Sequence, residues 1–300
     1  MIGRLGGIGA NPPITMRVKI NFLIISSDRL KETLNYLIDN HARHLGIQLE
    51  EKHYDKRFKE LIEKLSKKNK VVVLIDEYDK PIIDFVEDKE KAIENRNILR
   101  SFYGTIKSSD QYIKFAFITG VSKFSKVSVF SDLNNLRDIT LSETFATMLG
   151  YTETELRTYF DERLDRLVIK FKKEKEDILR DIKSRYNGYS WDAKNFLYNP
   201  FSILNFFQEE RFGNYWFTTG TPTFLIKLIK EKRMDVKTIG SWEADEYVFD
   251  SYDIENMDLT SLLFQTGYIT IKSFKTLGND RKYFLTFPNQ EVEDAFLKYI

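Results

Sequence analysis

The stretch VVVLIDEYDKP at residues 71–81 constrains the fold of this chain more than any other. Val71 to Ile75 are five consecutive apolar residues, mostly β-branched, which reads as a strand that ends abruptly at Asp76 and Glu77. A strand of that composition needs cover, and its flanks supply the pattern for it. An apolar run, VKINFLII at 18–25, precedes it, and IKFAFIT at 113–119 follows. Between the runs lie amphipathic stretches. Leu30, Leu34, Leu37, Ile38 and Leu45 recur on one helical face after a Ser27 or Asp28 cap. Phe58, Leu61, Ile62 and Leu65 mark a second helix, and Ile93, Ile98, Phe102 and Ile106 a third near 88–107. Strand, helix and strand in alternation with short joints predict an α/β fold built on a parallel sheet.

Composition narrows the class. The 300 residues carry 46 basic and 45 acidic side chains, so no global field draws the chain to nucleic acid or membrane. The absence of cysteine removes disulfides, thiolate metal sites and cysteine nucleophiles. No apolar run approaches the ~18–20 residues of a membrane span, and MIGRLGGIGANPP lacks the continuous apolar core of a secretory signal. A soluble, cytoplasmic protein is the expectation.

Three segments follow. Residues 1–16, with Gly3, Gly6, Gly7, Gly9, Pro12 and Pro13, read as a flexible leader. Residues 17–150 form the α/β core, with 121–150 as loops and short pieces. Residues 151–300 turn helical over 156–167, 178–186, 201–207 and 223–229. They end in a hairpin pattern, 268–274 and 282–287 around Leu277-Gly278-Asn279-Asp280. Helices followed by such a hairpin suit a winged-helix-like unit.

The carboxyl end of a parallel sheet is where ligands bind, and the 71–75 strand delivers two acids there. At that position the first acid, Asp76, suits the Mg²⁺ shell of a nucleotide and the second, Glu77, an attacking water. Thr119, ending the neighbouring strand, can reach a γ-phosphate. Polar residues simply leaving a buried strand fit the same letters. A phosphate loop, G-x-x-x-x-G-K-[ST], is needed to complete such a site, and this sequence has none. The early glycines run into Ala10-Asn11-Pro12-Pro13, and the first lysine is Lys19.

Seven strings in order carry a resemblance. They are LIDEYDKPI (74–82), FITGVSKFSKVSVFSDLNNLRDITL (117–141), GYTETEL (150–156), YNGYSW (186–191), YNPFSILNFF (198–207), NYWFTTGTPTFL (214–225) and LLFQTGYITIK (262–272). From about Val18 onward the chain resembles the predicted AAA-ATPase-like family, which joins a P-loop ATPase region to, usually, a C-terminal PD-(D/E)XK nuclease-like domain. The resemblance implies a P-loop NTPase-like core, ATP and Mg²⁺ as cofactors, and Asp76 and Glu77 as the Walker B acids on the metal and water sides. Thr119 takes a sensor-like place that contacts nucleotide. Two departures are expected: this chain lacks the Walker A region and the nuclease-like domain, so turnover is weak or absent.

Alternatives from the residues stay open. Lys123 and Lys126 can approach phosphate or sit in solvent, and Arg137 can be a finger toward a neighbouring nucleotide or a surface arginine. His41 and His44 share a helical face, yet no third metal ligand is evident and H-E-x-x-H is absent. Tyr186, Tyr189, Trp191, Tyr215, Trp216 and Phe217 fill a core or form a binding surface. The partners expected are nucleotide and a protein or effector domain. A non-catalytic interaction module and a nucleic-acid adaptor are the other readings, the latter without support from net charge.

Overall fold

The structure is a computed structural model and describes residues 14–19, 26–121, 129–130, 133, 135–216, 229, 242–249, 258–278 and 280–299. The chain divides into two compact units: Met1–Leu136 with Asp253–Asn256, and Arg137–Tyr252 with Met257–Ile300. The second unit takes up the chain from Arg137.

The first unit is built on three parallel strands. β1 (Ile14–Lys19), β2 (Val71–Asp76) and β3 (Ile113–Ile118) lie in that order, with β2 in the centre. The register pairs Val73 with Met16 on one side and with Ala116 on the other. The first strand was expected at 18–25 and begins instead at Ile14, inside the expected leader. Pro12 and Pro13 stop short of it, and β2 offers a ladder from Val71 onward, so Met16 can be buried opposite Val73. Residues 20–25 lie outside the described residues. Along β2, Val71, Val73 and Ile75 are buried while Val72 and Leu74 are half-buried, so one face packs more deeply.

Four helices connect the strands. α1 (Ser27–His44) starts one residue earlier than the composition suggested, because Ser26 is the cap and accepts from the Arg29 N–H at 3.2 Å. Leu30, Leu34 and Ile38 are buried, while Leu45 falls beyond the helix and is exposed. α2 (Tyr54–Ser66) buries Phe58, Leu61, Ile62 and Leu65, as its 3–4 spacing requires. The short α3 (Lys80–Ile83) carries Pro81 in its first turn, where a missing N–H costs nothing. α4 (Lys89–Ser108) is capped by Asp88 and buries Ile98, Phe102 and Ile106.

The second unit opens with α5 (Glu153–Tyr159), whose Thr152 and Glu155 form a reciprocal capping box. The single helix read over 156–167 is two, because the chain breaks at Phe160 before α6 (Asp161–Phe171). α7 (Lys175–Tyr186), a short ribbon of β4 (Asn187–Tyr189) and β5 (Leu197–Tyr198), and α8 (Pro200–Glu209) follow. Phe160 stacks on Phe207 with ring centroids 4.4 Å apart at the centre of their core. A three-stranded antiparallel sheet completes the unit: β6 (Trp242–Asp245), β8 (Asp280–Thr286) and β7 (Thr270–Leu277), in that order. The hairpin expected around Leu277 to Asp280 is therefore present, flanked by α9 (Leu259–Gln265) and α10 (Gln290–Tyr299). The helix read over 223–229 lies outside the described residues except for Ile229.

One buried charge ties this unit together. Glu291 on α10 is fully buried, and accepts from the Ser202 hydroxyl of α8 at 2.7 Å and the Trp216 N–H at 3.0 Å. Burial raises its pKa above the ordinary carboxylate value, outweighing those bonds and the nearby Arg185 charge. A raised folded-state pKa means that the stabilisation is full below the unfolded value, and is lost as pH climbs through the folded one. Relative to Glu291→Gln, the wild-type melting temperature should therefore fall as pH rises from the ordinary glutamate range toward neutrality. Melting curves of both proteins measured across that window check this; equal pH slopes of the melting temperature for the two contradict it.

Candidate functional site

The carboxyl edge of the first unit's sheet gathers the residues singled out from the sequence. Asp76 is the last residue of the central strand, opposite Lys19 at the end of β1. Because all three strands run the same way, their ends meet at one edge, and Asp76 and Glu77 stand there half-buried. Thr119 follows β3 directly and extends its ladder, its N–H donating to the Ile75 carbonyl at 2.9 Å. Its hydroxyl donates to Asp76 Oδ1 at 2.8 Å. The structure thus joins Asp76 and Thr119 across two strands, 43 residues apart in sequence.

Glu77 carries the unusual backbone. Its φ is +57°, in the left-handed region that a residue with a Cβ seldom occupies. The strand pairing fixes the chain before it. After it, the Tyr78 N–H donates to the Thr119 carbonyl at 2.9 Å. Glu77 is therefore the hinge of a sharp turn with both sides tied down.

Sequence reasoning missed the layer beneath this turn. Asp79 is completely buried, and its Oδ1 accepts from the Val121 N–H at 3.2 Å. Tyr103 of α4, also fully buried, donates its phenol proton to the Tyr78 carbonyl at 3.2 Å. Burial, reinforced by the Asp79 charge, pushes that phenol well above its usual range. Gly120 fits closely: a Cβ there would enter the Tyr78 ring and come within 2.7 Å of Asp79 Oδ1. A signal existed in the letters, since an aspartate follows the end of β2 and a glycine the end of β3. Only the tertiary pairing of the 78–79 turn with 119–121 gives them meaning.

The other candidates stand apart from this cluster or fall outside it. Arg137 is exposed and belongs to the second unit. Lys123, Lys126 and Phe217 lie outside the described residues. His41 and His44 occupy the last turn of α1, with His44 Nδ1 2.7 Å from the Asn40 carbonyl. Among the described residues, no group of three or more His, Cys, Asp or Glu side chains is arranged to hold a metal. Tyr186 and Tyr189 are buried, and Trp191, Tyr215 and Trp216 half-buried, so these aromatics serve chiefly as core. No helix among the described residues is long and apolar enough to cross a membrane.

The donors at the sheet edge, two carboxylates and a hydroxyl, are all oxygen, the set that a hard cation such as Mg²⁺ prefers. The arrangement can hold one metal-bound water or phosphate oxygen near Asp76 and a second polar group near Glu77.

Residues 15–130 match the family described as Predicted AAA-ATPase. The chain is also similar to a protein of Azotobacter chroococcum mcd 1 described as "Uncharacterized protein in vnfD 5'region", at 38% identity over 285 residues. That alignment covers 93% of this chain and 53% of the relative, so the chain spans about half of the relative's length. No solved structure matches the chain.

Proposed function

From the membership of residues 15–130 in an AAA-ATPase-like family, we propose that the sheet edge at Asp76 is a Mg²⁺-dependent ATP site of the P-loop class. The observation that carries this reading is the Thr119–Asp76 hydrogen bond at the end of a central parallel strand, with Glu77 next in the chain. Mg²⁺, when bound with ATP, neutralises phosphate charge and orients the β- and γ-oxygens. Asp76 would hold the metal's shell, directly or through water, and the Thr119 hydroxyl, which donates to Asp76 Oδ1, would fix the rotamer of Asp76. Glu77 acts as the catalytic residue by accepting a hydrogen bond from the attacking water and orienting it. The second unit, mostly helical with a winged-helix-like hairpin ahead of α10, serves as the contact to a protein partner or effector domain. The setting is cytoplasmic.

These 300 residues contain no G-x-x-x-x-G-K-[ST], the loop that gives such sites most of their charge-assisted contacts to phosphate. Hydrolysis by this chain alone is therefore slow, below ~1 s⁻¹ against a median of ~10 s⁻¹ for enzymes. Release of labelled phosphate from ATP tests the reading. The rate should require Mg²⁺ and fall about a hundredfold in Glu77→Gln, with nucleotide affinity unchanged. Equal rates in the two proteins contradict the role of Glu77, and turnover near the enzyme median contradicts the weak-site reading.

One observation supports a second reading, a non-catalytic interaction module. Although the large tyrosines are core, Phe196, Phe201 and Leu204 remain 40–50% exposed beside them, an apolar surface suited to a protein partner.

A further inference from the structure

Asp79 sits at the N-cap of α3, where an aspartate ordinarily accepts from the free N–H groups of the first helical turn. It makes no such bond. The Ile82 and Ile83 N–H groups go to its backbone carbonyl, at 2.9 and 3.0 Å. Its carboxylate turns away from the helix it heads and accepts from Val121, 42 residues on, just past β3. A buried carboxylate that leaves a local role for a distant one fixes a tertiary relation, and its burial makes that bond costly to lose.

The relation it fixes is between the turn after β2 and the end of β3. Thr119 and Val121 lie on one side, Tyr78 and Asp79 on the other, and Gly120 lets the two approach because no Cβ intervenes. Tyr103 secures the same turn from beneath through the Tyr78 carbonyl. Glu77 is the residue spanned by these ties, and it alone in the turn takes the left-handed conformation. Released, a glutamate would relax toward negative φ and carry its carboxylate away from the sheet edge.

We infer that Asp79 is a positioning residue: by clamping the turn after β2 to Val121, it holds Glu77 left-handed, with its carboxylate at the catalytic edge. The inference deepens the proposed ATP site, because it concerns the water-orienting group of that reading. The clamp itself is testable without turnover.

Hydrogen exchange at the Tyr78 and Val121 amides of the full chain reads how often the turn opens. Glycine tolerates a left-handed φ and alanine does not, so Glu77→Gly should protect Tyr78 several-fold better than Glu77→Ala while Asp79 is present. In an Asp79→Asn background, a weaker neutral acceptor of the same shape, that ratio should fall below about twofold, and Val121 protection should drop about tenfold. Asp79→Ala should lose both effects entirely. If the alanine variant fails to fold, the near-isosteric asparagine variant decides. A Gly-to-Ala ratio that is the same with and without Asp79 overturns the clamp, whatever happens to ATP. Phosphate release separates the two claims. A collapsing ratio with no ATP turnover in any variant upholds the clamp and removes the hydrolytic reading. With turnover present, Asp79→Asn should lower kcat while KM stays unchanged, as a displaced Glu77 requires.

Discussion

Gly188→Ala should destabilise the second unit by about 3 kcal/mol or more, the largest loss expected from a methyl group added at any glycine among the described residues. Gly188 lies in β4 with φ +139°, a conformation essentially reserved for glycine. A Cβ built there would penetrate the carbonyl oxygen of Pro288, a backbone atom that no side-chain rotation can move aside. Pro288 precedes Asn289, whose side chain accepts from the Val292 N–H at the start of α10, so a shift there disturbs the helix that carries Glu291. Gly278 is the natural control. It too has a positive φ, +64°, but a Cβ there meets open space, so Gly278→Ala should cost only ~1 kcal/mol of backbone strain. Denaturant titration followed by tryptophan fluorescence compares the two. Similar midpoints for both variants would mean that the close approach at Pro288 relaxes cheaply.

The second large effect is functional and concerns Asp76. Removing its carboxylate takes away the only strand-end acid of β2 and the acceptor of the Thr119 hydroxyl, while the apolar strand behind it stays intact. Asp76→Ala should therefore preserve the fold and abolish the Mg²⁺ dependence of nucleotide binding. Glu77→Gln, by contrast, should leave binding alone. The expected split between neighbouring residues follows from placement: one closes a regular strand and the next begins a strained turn.

How far this was legible in the letters depended on how local the cause was. Val71 to Ile75 announced a covered strand, and Phe58, Leu61, Ile62 and Leu65 a helix, because period and composition are properties of a short window. The Leu277 to Asp280 turn was equally local. The start of β1 was not. Ile14 to Met16 pair because β2 lies beside them, and nothing within the glycine- and proline-rich first segment says so. Phe160 broke a helix whose apolar spacing runs on without interruption, because its ring is wanted against Phe207. At the candidate site, the two acids were visible as a pair, and Thr119 as a strand end. Asp79 was hidden by its own plausibility as a helix cap. Only when Val121 is brought across from β3 does the buried carboxylate find the partner that explains it.

On the proposed reading, Asp76 presents the metal side of an ATP site at the edge of this sheet. Calorimetric titration of the full chain with ATP, with and without Mg²⁺, on wild type and Asp76→Ala measures it most directly. The wild type should show Mg²⁺-dependent affinity weaker than micromolar, and the variant no Mg²⁺ effect. Binding that ignores both the cation and the substitution would contradict it.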